Sequence, residues 1–483
     1  MRFSVSRRNF ISGGAAALGS LLCGRVFAVP PGWRPTKKPN LVFGVLTDTH
    51  LMTEWDAKSV YWTMSLDYIR NAYRRFKKVN VDAVLHLGDA AHRAQVLALK
   101  FHREEFDKVF GTKNPPPLLV VDGNHEWQGD WDYLKKLYTD PVMFRENVLT
   151  EDFPRLFEKG WGVKYEPFWH KEVNGYHFFG RGWGVDDGKF GTFIKNEAER
   201  RNLKGTKPFF ILSHKMTYLP CNGKLKAFPN AIGFCGHWHT SLANWGSIYY
   251  ERNYKIFPYI NCGACRYDGE NALRKDMLTE QNLLQRDPQT HQCIYPSRQA
   301  MIVNVYDDMI VFERHEVGEG GKLGPDWVMP LGKFNPHPFS REELKKTIGE
   351  PQFRKRAKLV VSTGSTRIRP HQNPDNPANP VKKDSASSRL CVKIKIPMAD
   401  GNPDSRVYAY EVKIVGSDRN KPLYKSVYFE GVNCGIGHEP NKGVTTLEIP
   451  KSELPKGRRL TISVTPLSSL GTKGKPISSV IRV

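Results

Sequence analysis

Five short polar blocks, each set directly after an apolar run or within a residue or two of one, constrain this chain more than any other feature. In order they are Asp48-Thr49-His50, Gly88-Asp89-Ala90-Ala91-His92-Arg93, Gly123-Asn124-His125-Glu126, Ser213-His214 and Gly236-His237-Trp238-His239. The runs before them, at residues 41–46, 83–85, 118–121, 209–212 and 231–234, have the length and apolar density of buried strands. Between the first two, Trp62, Leu66, Ile69 and Phe76 recur at helical spacing along residues 61–78. Strand and helix in alternation predict an α/β domain from residue 40 to about 314. The blocks then gather at the C-terminal edge of its sheet, where ligand sites in open α/β sheets form.

The residue types in the blocks point to metal chemistry. Carboxylates and imidazoles without a thiolate suit borderline metals such as Mn, Fe and Zn. Asp48 and His50 are one residue apart, as are His237 and His239. In extended backbone, residues i and i+2 share a side, so each pair is expected to converge. An aspartate between two cations can bridge them and leave room for a hydroxide. Two metals about 3.5–4 Å apart lower that water's pKa and clamp the ester oxygens during in-line attack. Each block alone is ordinary, since Gly-Asp and Gly-Asn are common turn pairs. It is the ordered set at strand ends that argues for a metal centre.

On these five blocks the sequence resembles the calcineurin-like metallophosphoesterase superfamily, over residues 40 to about 316. The resemblance implies a four-layer α-β-β-α sandwich and a centre of two divalent or trivalent transition metal ions. It implies hydrolysis of a phosphomonoester or phosphodiester by a metal-bound hydroxide, on a phosphorylated small-molecule or lipid substrate. Carried over position by position, Asp48, His50 and His239 would hold one metal, and Asn124, His214 and His237 the other, with Asp89 bridging. His125 would assist the leaving group as general acid or electrostatic stabiliser. Arg93 would contact the substrate phosphate through its guanidinium fork. One departure matters: His92 stands where many members have an acidic or amide residue that orients the catalytic histidine. Asp-x-His in place of Asp-x-Gly, and no tyrosine in the second block, argue against a purple acid phosphatase with its iron–tyrosinate.

Farther on, apolar runs at 301–306 and 309–313 flank Asp307-Asp308 and predict a hairpin with a two-residue turn. A Gly/Pro-rich segment, 318–338, then closes a first domain placed at residues 40–345. After a helical stretch near 341–348, short strands are expected at 358–361, 392–396, 408–415, 426–429, 446–449, 460–464 and 480–483. Their number and alternation predict an all-β immunoglobulin or fibronectin-III-like sandwich over residues 350–483, with 369–388 as a long inter-strand loop. Residues 351–483 carry 24 Lys+Arg against 10 Asp+Glu, in a chain of net charge +23. An alternative reading follows: an envelope-binding protein whose basic C-terminal domain docks an anionic polymer, the metal site being structural. No nucleic-acid motif accompanies the charge, so no specific nucleic-acid binding is expected.

The N-terminus reads as an export signal over residues 1–28, followed by a linker, 29–39. Arg2, Arg7 and Arg8 precede a Gly/Ala/Leu stretch at 13–22, and Val26-Phe27-Ala28 supplies a cleavage site. Paired arginines followed by Asn9-Phe10-Ile11 resemble the twin-arginine signal, whose machinery exports folded proteins to the periplasm or beyond. Leu22 before Cys23 argues against a lipoprotein. Eight cysteines in so long a chain imply no disulfide framework, and Cys262-Gly-Ala-Cys265 reads as a buried structural pair. Trp55, Trp62, Trp183 and Trp238 stand as core residues or as a stacking wall, and Asp186-Asp187-Gly188 as a turn or a substrate loop.

Overall fold

A computed structural model describes residues 27–28, 35, 37–51, 60–129, 131–149, 152–205, 207–217, 219–243, 247–250, 257–265, 298–318, 320–324, 326–331, 349–368, 387–400, 407–418, 421–428, 444–468 and 472–482. Two mixed sheets form the first part. One holds β1 (Phe27–Ala28), β2 (Leu41–Leu46), β3 (Ala83–Leu87), β4 (Leu118–Val121), β11 (Gln299–Val305), β12 (Met309–Glu316) and β13 (Trp327–Pro330), in the order β1-β13-β12-β11-β2-β3-β4. The other holds β5 (Phe168–Val173), β6 (Tyr176–Arg181), β7 (Phe209–Ser213), β8 (Ala231–Cys235), β9 (Ile248–Tyr250) and β10 (Pro258–Asn261), in the order β5-β6-β7-β8-β10-β9. In the first, the parallel strands β2, β3 and β4 occupy one end and the antiparallel strands the other. In the second, the parallel strands β6, β7, β8 and β10 carry antiparallel partners β5 and β9 at the edges.

Period-two side-chain alternation explains why the central strands are apolar throughout. Leu41, Phe43 and Val45 join Phe178, Phe210, Phe234 and Ile260 in a core between the sheets. Val42 and Leu46 point the other way, into a second core with Tyr73 and Phe76 of the helix Val60–Lys78 and with Leu99 and Phe106 of the helix Val96–Phe110. On the far sheet, Phe210 and Leu212 face inward while Phe209 and Ile211 pack against Phe190 and Ile194 of the helix Asp187–Arg200. The layers are therefore helix, sheet, sheet, helix, as expected. No described helix is long and apolar enough to cross a membrane.

The hairpin around Asp307-Asp308 forms, with Val305 opposite Ile310 and the Tyr306 N–H donating to the Met309 carbonyl at 2.8 Å. The Gly/Pro-rich segment is not only a closing loop: β13 lies inside it and pairs with β12. Asp186 and Asp187 open a helix rather than form a plain turn. Asp186 caps the helix Asp187–Arg200 by accepting the Lys189 N–H, and Asp187 pairs with Arg181. Cys221, Cys235, Cys262, Cys265 and Cys391 are buried, and none is in a disulfide among the described residues. Most of the signal region, residues 1–26, and the helical stretch at 341–348 lie outside the described residues, as does Trp55; of Trp62 only the helical backbone is described.

Beyond residue 350, β14 (Val360–Ile368), β15 (Ser387–Pro397) and β18 (Val444–Pro450) form a three-stranded antiparallel sheet. A four-stranded antiparallel one joins β16 (Val407–Gly416), β17 (Leu423–Tyr428), β19 (Arg459–Ser468) and β20 (Ile477–Arg482). These are the seven expected strands. Val392 and Ile394 of the first sheet share an apolar cluster with Tyr410, Val412, Ile462 and Val464 of the second, an arrangement compatible with a β-sandwich.

Candidate metal centre

Each polar block begins where its strand ends. Asp48 and His50 follow β2, Asp89 follows β3, Asn124 follows β4, His214 follows β7, and His237 and His239 follow β8. Backbone bonds tie the first two loops together: Asp48 N–H donates to the Gly88 carbonyl at 3.1 Å and His50 N–H to the Asp89 carbonyl at 2.9 Å.

The i, i+2 pairs do converge, but not through extended backbone. Asp48, His50, Asp89, His237 and His239 have φ of 50°, 41°, 52°, 67° and 49°. Five non-glycine residues in the left-handed region, each strained by roughly 1–2 kcal/mol, curl the chain so that neighbouring side chains meet. Strain of this kind persists only where the surroundings over-determine it. Glycines let the loops close: a Cβ at Gly236 would collide with Thr47 and the Asp48 carboxylate, and one at Gly123 with Asp89.

Seven side chains come together in two sets. In one, His239 Nε2 lies 2.9 Å from Asp48 Oδ1 and 3.1 Å from His50 Nε2, and His50 Nε2 lies 3.7 Å from Asp89 Oδ2. In the other, His214 Nε2 lies 3.0 Å from the same Asp89 Oδ2, 3.2 Å from Asn124 Oδ1 and 3.3 Å from His237 Nδ1. His237 Nδ1 is 3.0 Å from Asn124 Oδ1. Asp89 thus belongs to both sets; the donor atoms of Asp48, His50, Asp89 and His239, and those of Asp89, His214 and His237, fall within 4.8 Å of one another.

This arrangement fits a pair of transition metals. Donors bonded at about 2.0–2.2 Å to one ion sit roughly 3.0–3.4 Å apart, close to the spacing of most pairs here, with the His50–Asp89 pair wider at 3.7 Å. Outer partners fix which atoms point inward. His214 Nδ1 donates to the Leu87 carbonyl at 2.8 Å, which commits Nε2 to the centre. The Nδ1 atoms of His50 and His92 lie 3.4 Å apart, on the side of the His50 ring away from the centre. Thr47 Oγ1 donates to Asp48 Oδ2 at 2.6 Å, and the His237 N–H reaches both Asp48 oxygens. Electrostatically the pocket is made for cations. Burial opposes charge on His214, yet Asp89 and Asp48 outweigh it and push its pKa up to about 10. Burial likewise opposes ionisation of Asp48, but His239 and His214 hold it well below the usual carboxylate range.

His125 and His92 sit at the rim. His125 is half-buried, its Nδ1 is 2.8 Å from the His92 carbonyl, and its ring stacks on His92 with centroids 5.2 Å apart. The orienting acceptor is therefore a backbone oxygen, so the departure at His92 does not leave His125 unheld. Arg93, next along, is 6% exposed.

Glu126 stood in the third block without a role, and the structure supplies one. Buried to 1% exposure, it accepts the N–H groups of Asp89 at 2.9 Å, Ala91 at 2.8 Å and Gly123 at 2.6 Å, so one carboxylate sews two ligand loops together. Its position three residues after Gly123 is that of the capping-box acid. Asp122, which no sequence pattern marks, accepts from the Trp127 indole at 2.5 Å and the Trp183 backbone at 3.1 Å.

Behind the first ligand loop, the Thr49 hydroxyl contacts His102 Nε2 at 2.8 Å and His86 Nε2 at 3.3 Å. Both rings are fully buried; burial pulls the His86 pKa down to about 3 and that of His102 well below its ordinary 6.5. The folded chain keeps both neutral while the unfolded chain protonates them below 6.5, so their contribution is intact above that pH and declines as pH falls below it, for His86 down to about 3. While a ring stays neutral in the folded chain alone, it costs about 1.4 kcal/mol per pH unit. In chelator-treated protein, urea midpoints between pH 6 and 4.5 should fall less steeply for His102→Gln than for wild type. Equal slopes would remove this account.

Among solved structures, a dimetal phosphatase from Danio rerio shares 12% identity, with 61% of this chain and 99% of that chain covered and a TM-score of 0.34. A purple acid phosphatase from yellow lupin (Lupinus luteus) seeds shares 12% identity over 62% of this chain and 55% of that one, with a TM-score of 0.39. Vacuolar Protein Sorting 29 from Cryptosporidium parvum shares 10% over 60% and 98%, with a TM-score of 0.26. None of the curated proteins compared matches the chain. Residues 41–241 match the family described as calcineurin-like phosphoesterase, and they form a calcineurin-like metallophosphoesterase domain within this chain.

Proposed function

We propose that the chain is an exported hydrolase that cleaves a phosphomonoester or phosphodiester at a dinuclear metal centre. The observation that carries this reading is the meeting of seven donor side chains in two sets that share Asp89 Oδ2. Two cations there would supply Lewis acidity and a water of lowered pKa for in-line displacement at phosphorus. The chain's own residues do the rest. Asp48, His50 and His239 grip one side, Asn124, His214 and His237 the other, and Asp89 ties them. His125, anchored through Nδ1, keeps Nε2 for the leaving oxygen and delivers a proton or positive charge as the ester bond breaks. Arg93 offers a planar fork for the phosphate oxygens. Paired N-terminal arginines support twin-arginine export, which would carry the protein folded to the periplasm or beyond, and the C-terminal sheets support a fibronectin-III-like accessory domain.

Purified protein should contain about two transition metals per chain and cleave p-nitrophenyl phosphate or its bis-ester. Asn124→Ala and His214→Ala should lose metal and activity together while circular dichroism remains that of a folded protein. Full activity in either variant with its metal stripped rejects the mechanism.

A further inference from the structure

The described indoles of the first part fall into three groups: Trp127 and Trp131 are exposed, three others are core residues, and two lie beside the proposed metal centre. Trp161, Trp169 and Trp327 belong to its apolar cores. Trp183 and Trp238 join none of those clusters, and both are half-buried. They flank the His237 side of the metal centre instead. The Trp183 ring centroid is 5.4 Å from that of His237 and 5.8 Å from that of His214, and the Trp238 ring is 5.2 Å from His237. The Lys215 ammonium lies 5.9 Å from the Trp238 ring centre. Trp238 Nε1 is buried with no hydrogen-bond partner among the described residues.

The loop that presents Trp183 is fixed in place. Its backbone N–H is held by the buried Asp122 carboxylate. A Cβ at Gly182 would stand 2.6 Å from that carboxylate and 2.8 Å from the Tyr165 hydroxyl, so only glycine permits the approach. Gly184, at φ 76°, turns the chain away just after the indole. At the foot of the loop Arg181 pairs with Asp187 and donates to the Lys215 carbonyl at 3.2 Å, linking this segment to the one that follows His214. A large flat ring is thus set rigidly beside two metal ligands without being absorbed into a core.

Resting on the phosphoesterase reading above, we infer that Trp183 is a specificity-determining platform: the preferred substrate is a phosphoester whose leaving group carries an aromatic ring next to the ester oxygen, and that ring stacks on the indole. Trp183 touches the leaving group and takes no part in activating water. The ring energetics of such a stack correspond to roughly a tenfold preference over a saturated ring of like size.

The test compares benzyl phosphate with cyclohexylmethyl phosphate, which share a primary-alcohol leaving group and a six-membered ring. Metal-loaded full-length wild type, Trp183→Leu and Trp183→Phe are assayed for both, with inorganic phosphate as inhibitor. Wild type should favour the benzyl ester about tenfold in kcat/KM, mostly through KM. Trp183→Leu should lose the preference, Trp183→Phe should keep part of it, and phosphate inhibition should stay within about twofold throughout because the metal ligands are untouched. Equal cleavage of the two esters by wild type, or an unchanged preference in Trp183→Leu, overturns the inference while leaving the phosphoesterase reading standing. If metal-loaded wild type cleaves neither these esters nor p-nitrophenyl phosphate and its bis-ester, the phosphoesterase reading falls and takes this one with it.

Discussion

Asp89→Asn should leave a folded protein with fewer than one tightly held metal per chain and about a thousandfold lower kcat/KM, equivalent to about 4 kcal/mol of transition-state stabilisation. The reason lies in what each carboxylate oxygen does. Oδ2 is the one atom in both donor sets, 3.0 Å from His214 Nε2 and 3.7 Å from His50 Nε2. Oδ1 accepts the His125 N–H at 2.8 Å, which holds the His125 segment against Asp89. An amide cannot serve both oxygens. With its NH2 toward the centre it offers hydrogens where lone pairs are needed, and flipped it confronts the His125 N–H donor to donor. Asn124 shows that an amide oxygen suits one set, so the loss expected at position 89 comes from bridging rather than from a general intolerance of amides. Metal content by elemental analysis, thermal melting and steady-state kinetics on one preparation decide the matter. Two retained metals with activity within tenfold of wild type would show that Asp89 does not bridge.

The blocks were readable because each combines a strand-terminating glycine or polar residue with donors of one chemical class, and strand ends are where sequence pattern is strongest. All seven proposed ligands fall within the two clusters. The backbone that brings them together was not readable. Spacing of one residue suggested extended chain at Asp48/His50 and His237/His239, whereas the left-handed φ at all four comes from tertiary contacts. Interactions across loops were equally hidden: nothing local says that Glu126 reaches Asp89, Ala91 and Gly123, or that the His92 carbonyl would replace the side chain expected to orient His125. In the fold, the strands 118–121 and 209–212 were legible as dense apolar runs. The β5–β6 hairpin was passed over although Asn174-Gly175, with φ of 49° and 71°, is a strong two-residue turn signal. Its strands mix His, Lys and Glu with aromatics because β5 is an edge, so alternation there is blurred. β13 escaped because four buried residues, Trp327–Pro330, sit among glycines and prolines that dominate the local composition.

Glu126→Ala should be the most damaging single change to stability in the metal-binding region. It removes the acceptor of three buried backbone N–H groups. At about 1–3 kcal/mol for each unsatisfied donor, the loss is roughly 3–9 kcal/mol, comparable with the whole stability of an ordinary domain. Burial first, then the charge of Asp89, pushes the Glu126 pKa up to about 8, so its retention here reflects hydrogen bonding that offsets an unfavourable setting for charge. Glu126→Gln separates the two contributions. Its one carbonyl oxygen can still accept, but the NH2 faces at least one of the Asp89, Ala91 and Gly123 donors. The variant should fold with a loss of about 1–3 kcal/mol in urea unfolding. Because the misplaced donor pulls on the Asp89 loop, metal affinity should also fall by about 10–100-fold, the range for outer partners of metal ligands. A Glu126→Ala protein that melts within about 1 kcal/mol of wild type would mean that water replaces the carboxylate at all three donors, and the two loops would then be held by their metals alone.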